Sequence, residues 1–418
     1  MIKNRHAILA LLTGLNFLNY IDRAVVAAVV DPMQTELGLS NLEAGLLNAA
    51  FLVGYFLTAP IFGARADKGS RKGLIAFGVV IWSLATIASG MASTVWTLLA
   101  ARIAVGVGEA SYATLAPTII DDLTPADGKG RALSIFYLAT PLGYATGYIL
   151  GGMISQRWDW RTAFYVCGAP GIVLALSCLL IVEPPRKLVE AKGKLIDGLR
   201  EMAKLAQFRR AVLGYCAYTA AVGAFSFWAP KFLLTRFPTE LNKETANRWF
   251  GIVLVAAGAI GTYLGGRWAD RAVRVLPQPK PGAPYDSPED RVAVNALLKI
   301  CAIGMVIATP LAALAFFMPV SWAFFVLAFF VCIGLFLSTS PVNASFLRAV
   351  PPERRASAMA ASIFAIHLLG DLWSSSALGL LIDAVPLVLA MMALPITFGV
   401  SGYLWWPRKR EASPSSGT

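Results

Sequence analysis

Charge is scarce in this chain of 418 residues: 36 Lys+Arg and 24 Asp+Glu make up 14% of it, against 57% hydrophobic residues. Soluble proteins carry about 25% charged residues. A globular chain of this size could not cover so much apolar side chain with so few charges. Disorder, a coiled coil and an ordinary cytosolic enzyme are excluded on that ground. Cysteine is sparse too. Cys167, Cys178, Cys216, Cys301 and Cys332 are odd in number, lie in apolar runs and lack paired spacing. They read as small buried hydrophobes rather than disulfides or metal ligands. Enzyme signatures are also missing. There is no phosphate-binding glycine loop with Lys-Ser/Thr, no His-Glu-x-x-His and no nucleophile elbow. Neither an enzyme nor a metal or organic cofactor is expected.

What the chain does have is long apolar runs. A bilayer-spanning helix needs about 20 mainly apolar residues. Twelve stretches meet that length, near 7–30, 42–66, 73–92, 95–120, 130–155, 161–183, 209–236, 246–268, 292–318, 321–346, 356–382 and 385–406. The first contains Asp22-Arg23 and follows a very short leader, so it reads as a retained span rather than a cleavable signal. The expected fold is all-α and integral to the membrane. An even number of spans puts both termini on one side. The termini and the loops after even-numbered spans hold 28 of the 36 Lys+Arg, and the opposite loops hold six. The positive-inside rule then places both termini in the cytoplasm. The net charge of +12 becomes a topology signal, and no nucleic-acid partner is needed to explain it.

The longest polar connection, 184–208, divides the chain into six spans (1–183) and six (209–418). Its Leu195, Ile196, Leu199, Met202 and Leu205 suggest an amphipathic helix on the membrane surface. The connection 271–291, with five prolines, reads as extended. The halves repeat one another. Gly63, Asp67 and Arg71 at the end of span two recur as Gly266, Asp270 and Arg274 at the end of span eight, both Gly-x3-Asp-x3-Arg, 203 residues apart. Two such bundles facing a midplane site are how many secondary transporters are built.

These residues resemble the major facilitator superfamily, over the whole chain. Asn19-Tyr20-Ile21-Asp22-Arg23 and Arg102-x3-Gly106-x-Gly108-Glu109-Ala110 are similar to motifs of two of its branches, the spinster-like lipid transporters and the anion:cation symporters. Pro351-Pro352-Glu353-Arg354-Arg355-Ala356, followed by His367-Leu368-Leu369-Gly370-Asp371, resembles the spinster branch, and the chain's brevity and short termini suggest a bacterial member of it. One departure is Ser374-Ser375-Ser376, where that branch often carries a proline-containing run. The resemblance implies two pseudo-symmetric six-helix bundles and alternating access. It also implies that the Gly63, Asp67, Arg71 loop and its copy at Asp270 and Arg274 latch the cytoplasmic gate.

Ionisable residues inside lipid-embedded helices are expensive, so they are functional candidates by default. Away from helix ends they are Asp22, Arg23, Arg102, Glu109 and Asp371, with His367 alongside. At 1.5 Å per residue all of them collect in a slab about 10 Å thick near the midplane. Arg102 and Glu109 share a helix face but stand about 10.5 Å apart along it, so each needs a partner from another helix. The simplest pairing joins Asp22 to Arg102 and lets Glu109 reach Arg23 or a water. The alternative is a static ion pair that only fixes helix register. Desolvation favours a protonated carboxyl and a nearby Arg the charged form, so an anion landing on the Arg couples its binding to proton uptake. His367 and Asp371, one turn apart, form either a second polar contact or a hydrogen bond that pins span eleven. Gly143, Gly147 and Gly151 make a smooth packing stripe on span five.

The expectation is therefore a monomeric, multi-pass inner-membrane transporter of an anionic amphiphile, a lysophospholipid or sphingosine-1-phosphate-like lipid, driven by protons. Arg23, Arg102, Tyr20, His367 and Asp371 would bind substrate, and Asp22 and Glu109 would carry the proton. The rival is a proton-coupled symporter of small organic anions such as sugar acids. It would need more amide side chains than Asn16, Asn19, Asn48 and Asn343 supply within the spans. A channel or receptor would not need duplicated gate loops.

Overall fold

The computed structural model describes residues 2–66, 69–125, 128–183, 204–276, 288–350 and 355–407. The amphipathic helix expected within 184–208 falls mostly outside them, as do Asp67 and the Pro351-Pro352-Glu353-Arg354 segment. Each apolar run forms a helix, because in hydrocarbon a backbone must satisfy its own N–H and C=O groups. The helices are Arg5–Ala28 (span one), Asn41–Ala66 (two), Arg71–Met91 (three), Val95–Leu123 (four), Lys129–Arg157 (five), Trp160–Leu179 (six), Ala206–Arg236 (seven), Lys243–Arg274 (eight) and Pro288–Phe316 (nine). Span ten is divided into Ser321–Phe336 and Thr339–Arg348, and span twelve into Leu387–Met391 and Ala393–Trp405. Span eleven runs Arg355–Ile366, a π-helical turn at His367–Asp371, then Leu372–Ala384. Among the described residues, eleven helical segments are long and apolar enough to cross a membrane. Span one has the length, at 24 residues, but Asn16, Asn19, Asp22 and Arg23 dilute its apolar character.

Local chemistry sets several helix starts. The Asp159 carboxylate accepts the Thr162 N–H at 2.7 Å and opens span six. Thr94 and Thr97 form a reciprocal capping box at span four. A short helix, Val30–Leu37, follows span one and stops at Gly38, whose φ of 65° is a left-handed cap. Its Glu36 takes the Arg161 guanidinium and the Trp160 indole, at 2.8 and 2.7 Å, and so docks on the start of span six.

The chain forms two compact units. One comprises Met1–Glu190, Ser226–Ile252 and Ser375–Ala384, the other Ala191–Phe225, Val253–Ser374 and Val385–Thr418. In the first, the glycine stripe packs span five on span one: Gly143 meets Phe17 and Tyr20, Gly147 meets Ile21 and Ala24, and Gly151 meets Ala28. Gly106 lies so close to the Phe51 carbonyl that a Cβ there would collide, which brings span four against span two. All five cysteines are free and buried.

Candidate functional site

Asp22 and Arg23 are neighbours on span one, so they leave the helix about 100° apart and enter different surroundings. Asp22, fully buried, points to span three, where the Thr86 hydroxyl donates to Oδ2 at 2.7 Å. Arg23 points to span four, where its Nε donates to Glu109 Oε2 at 2.8 Å and its Nη2 lies at ion-pair distance, 2.8 Å, from the same oxygen. Of the two partners left open for Glu109 by spacing alone, the structure selects Arg23. The Asp22–Arg102 pair is not formed. Asp22 Oδ1 and the Nε and Nη1 of Arg102 are buried without hydrogen-bond partners, although the two residues remain electrostatically coupled.

Phe51 explains the arrangement. Its ring lies 4.7 Å from the Arg23 guanidinium and 5.2 Å from that of Arg102, so one aromatic ring serves two like charges. Tyr20 and Tyr55 add contacts to Arg23 at 5.1 and 5.7 Å. Tyr20 continues into Tyr144 at 5.1 Å, and Tyr144 stacks on Tyr148 at 6.5 Å. The outcome is a charge-balanced quartet of Asp22, Arg23, Arg102 and Glu109, walled by aromatics. Glu109 is 0% exposed and Arg102 3%. Glu109 keeps one oxygen unbonded, and Arg102 keeps two N–H donors.

A second cluster lies in the other unit. The π turn frees backbone carbonyls, and span seven takes them up: Thr219 Oγ1 donates to Ile366 O at 3.2 Å and Cys216 Sγ to Ala365 O at 3.5 Å. Gly370 permits this approach, since a Cβ there would meet Thr219 and the Cys216 carbonyl. The bulge sets His367 Nδ1 2.8 Å from Asp371 Oδ2 and leaves Asp371 Oδ1 buried and unpartnered. Single π turns inside α-helices frequently mark functional sites.

The duplicated loop motif is placed less symmetrically. Gly63 is half-buried near the end of span two, whereas Asp270 and Arg274 are exposed on the last turns of span eight. Arg71 is buried. It reaches Asp122 of span four at 2.6 Å and Thr118 at 3.2 Å, with Glu183 at 4.0 Å. Glu183 in turn accepts from the Ser70 hydroxyl and from the N–H groups of Arg71 and Lys72 at 3.2 and 3.0 Å. Burial pushes the Glu183 carboxyl up, but these hydrogen bonds and the Arg71 cation outweigh it and hold it below its ordinary value.

Sequence spacing missed Phe51 and Thr86, because a neutral residue in an apolar helix carries no periodic signal of the charge beside it. It also missed a polar cluster in the first unit. Lys231 Nζ donates to Gln34 Oε1 and Asn41 Oδ1, both at 2.6 Å. Asp383 accepts from Asn41 Nδ2 at 2.6 Å and from the N–H groups of Asn41 and Leu42 at 3.2 and 3.0 Å.

This helical layout, with a few charges buried among its spans, is that of a membrane transporter, and comparison with known proteins agrees. The Major Facilitator Superfamily model matches residues 12–374. The chain is 33% identical to protein spinster homolog 1 of Homo sapiens over 401 residues, covering 90% of this chain and 72% of that protein. In structure it is similar to a bacterial homolog of the human lysosomal transporter Spinster, crystallised in an inward-facing and unoccupied conformation. That match has a TM-score of 0.82 and 23% identity, and covers 97% of each chain. It is similar also to a D-xylose-proton symporter, with a TM-score of 0.77, 17% identity and 96% and 97% covered. The chain therefore belongs to the major facilitator superfamily and, within it, to the spinster family. Its homologues and fold are those of multi-pass membrane transporters, not of enzymes.

Proposed function

We propose that this protein moves an anionic amphiphile, a lysophospholipid or sphingosine-1-phosphate-like lipid, across the inner membrane by alternating access coupled to protons. It acts as a monomer with both termini in the cytoplasm, and the segments 1–183 and 209–418 are its moving halves. The reading is carried by one observation: Arg102 is buried with two free N–H donors, beside an Arg23 already held by Glu109 and walled by Tyr20, Phe51 and Tyr55. An acidic headgroup satisfies Arg102, and aromatic rings accept the adjoining chain. As the anion draws Arg23 away, Glu109 loses its cation and takes a proton, with Asp22 in support. His367 and Asp371 also bind substrate. Gly63, Asp67, Arg71, Asp270 and Arg274 gate the cytoplasmic side.

The test is a thermal-shift and binding screen of lysophospholipids against sugar acids at two pH values. Lysolipid stabilisation that depends on pH supports the reading. Stabilisation by sugar acids alone overturns it in favour of a small-anion symporter.

A further inference from the structure

A cleft of about 460 Å³ opens at the ends of spans one, four and five, away from the midplane charges. Arg5, His6 and Arg131 line it, with Leu9, Ile120 and Ile135 among its apolar residues. The arrangement has a direction. Leu9 follows Arg5 by four residues and Ile135 follows Arg131 by four, so each apolar residue lies one turn, about 6 Å, deeper on the same helix face as its arginine. Ile135, which is 43% exposed, adds an accessible apolar side chain to the lining. Arg5 Nε lies 3.4 Å from His6 Nε2, and neither Arg5 nor Arg131 has an ion pair among the described residues. None of the described lining residues is acidic. This differs from the nearby Arg71, whose charge is consumed by Asp122 and Glu183. Two guanidiniums without an ion pair among the described residues, at the level of helix ends and beside apolar side chains, match the layout of a lipid: phosphate at the interface and acyl chain inward.

We propose that this cleft binds an anionic phospholipid of the surrounding bilayer, its phosphate between Arg5 and Arg131 and its proximal chain against Leu9, Ile120 and Ile135. The site is separate from the transport site and stands whether or not the transported molecule is an amphiphile.

The experiment is a thermal-unfolding titration of the purified full chain in micelles. It uses phosphatidylglycerol, phosphatidylcholine and inorganic phosphate on the wild type, on Arg5→Gln/Arg131→Gln and on a charge-matched control, Arg267→Gln/Arg271→Gln. Phosphatidylglycerol is expected to stabilise the wild type and the control alike. Its half-saturating concentration rises about thirtyfold in Arg5→Gln/Arg131→Gln, as expected for two cations lost from an anionic lipid surface at about 1 kcal/mol each. The phosphatidylcholine response stays the same in all three, which also shows that the variants are folded. An unchanged half-saturation in Arg5→Gln/Arg131→Gln overturns the proposal. So does an equal loss in the control, which would mean diffuse surface charge, or an equal response to inorganic phosphate, which would mean an anion site without a lipid.

Discussion

The Asp383 carboxylate closes over Asn41: Oδ1 accepts both the Asn41 backbone N–H and its side-chain amide, and Oδ2 takes the next N–H, that of Leu42. These are the first residues of span two, where a helix has unsatisfied N–H groups and a partial positive charge. Asn41 Oδ1 is in turn held by Lys231 at 2.6 Å. Beside the capping box that Ser40 and Glu43 form locally, a residue 342 positions away thus supplies a second cap.

Asp383→Ala removes that cap. Hydrogen exchange at the Asn41 and Leu42 amides should accelerate about fivefold or more, the effect of losing roughly 1 kcal/mol of capping. The measurement is peptide-resolved exchange over 34–47. Unaltered protection there would show that the carboxylate does not hold these amides.

Glu109→Gln keeps the shape of the side chain and removes the charge that pairs with Arg23. Proton-gradient-driven uptake in proteoliposomes is expected to vanish while ligand binding stays measurable. Gradient-driven uptake at the wild-type rate would remove Glu109 from coupling. Glu109→Ala should cost more in stability, about 3 kcal/mol, because it leaves Arg23 paired to nothing.

Arg102→Lys retains the charge but loses the planar group that stacks over Phe51 and offers Nε and Nη1 together. Affinity for an acidic amphiphile should fall by about tenfold, a cost of roughly 1.4 kcal/mol. Thermal stability should change little, since no hydrogen bond to those two atoms is lost. Equal affinity would mean that Arg102 acts only as a point charge.

His367→Ala breaks the 2.8 Å contact to Asp371 but leaves the π turn, which Thr219 and Cys216 hold through the backbone. Transport should drop with the melting temperature nearly unchanged. Full transport in this variant would confine His367 to a packing role.

Glu183 carries a pH signature. Its folded carboxyl titrates below the ordinary glutamate value of about 4.3, so the stability it contributes is complete above that value. It is lost as pH falls through the lower, folded value. Glu183→Gln should therefore be less stable than the wild type at neutral pH, with the two converging in acid. Melting curves from neutral pH down to about pH 3 check this, and a constant gap would exclude titration of Glu183 as the cause.

Much of the fold was legible in the amino-acid order. The run 42–66 becomes Asn41–Ala66 and 95–120 becomes Val95–Leu123. Span eight exceeds its apolar run, reaching Arg274 instead of 268, because helical hydrogen bonding continues past the apolar boundary into water. The interruptions in spans ten, eleven and twelve were not legible. The π turn at His367–Asp371 depends on hydroxyl and thiol donors from span seven, about 150 residues earlier.

The sequence by itself determined that this chain is built for lipid, where its helices run and which few charges lie inside the spans. Those follow from length, apolar content and the fixed rise of a helix, all local properties. Tertiary structure decided the partners. Spacing along one helix sets the depth and direction of Arg23 and Arg102, but the neighbour met in that direction depends on how four helices pack. Gly106 against the Phe51 carbonyl is one such contact. It brings Phe51 between two arginines, gives Glu109 to Arg23 and Thr86 to Asp22, and leaves Arg102 with donors to spare.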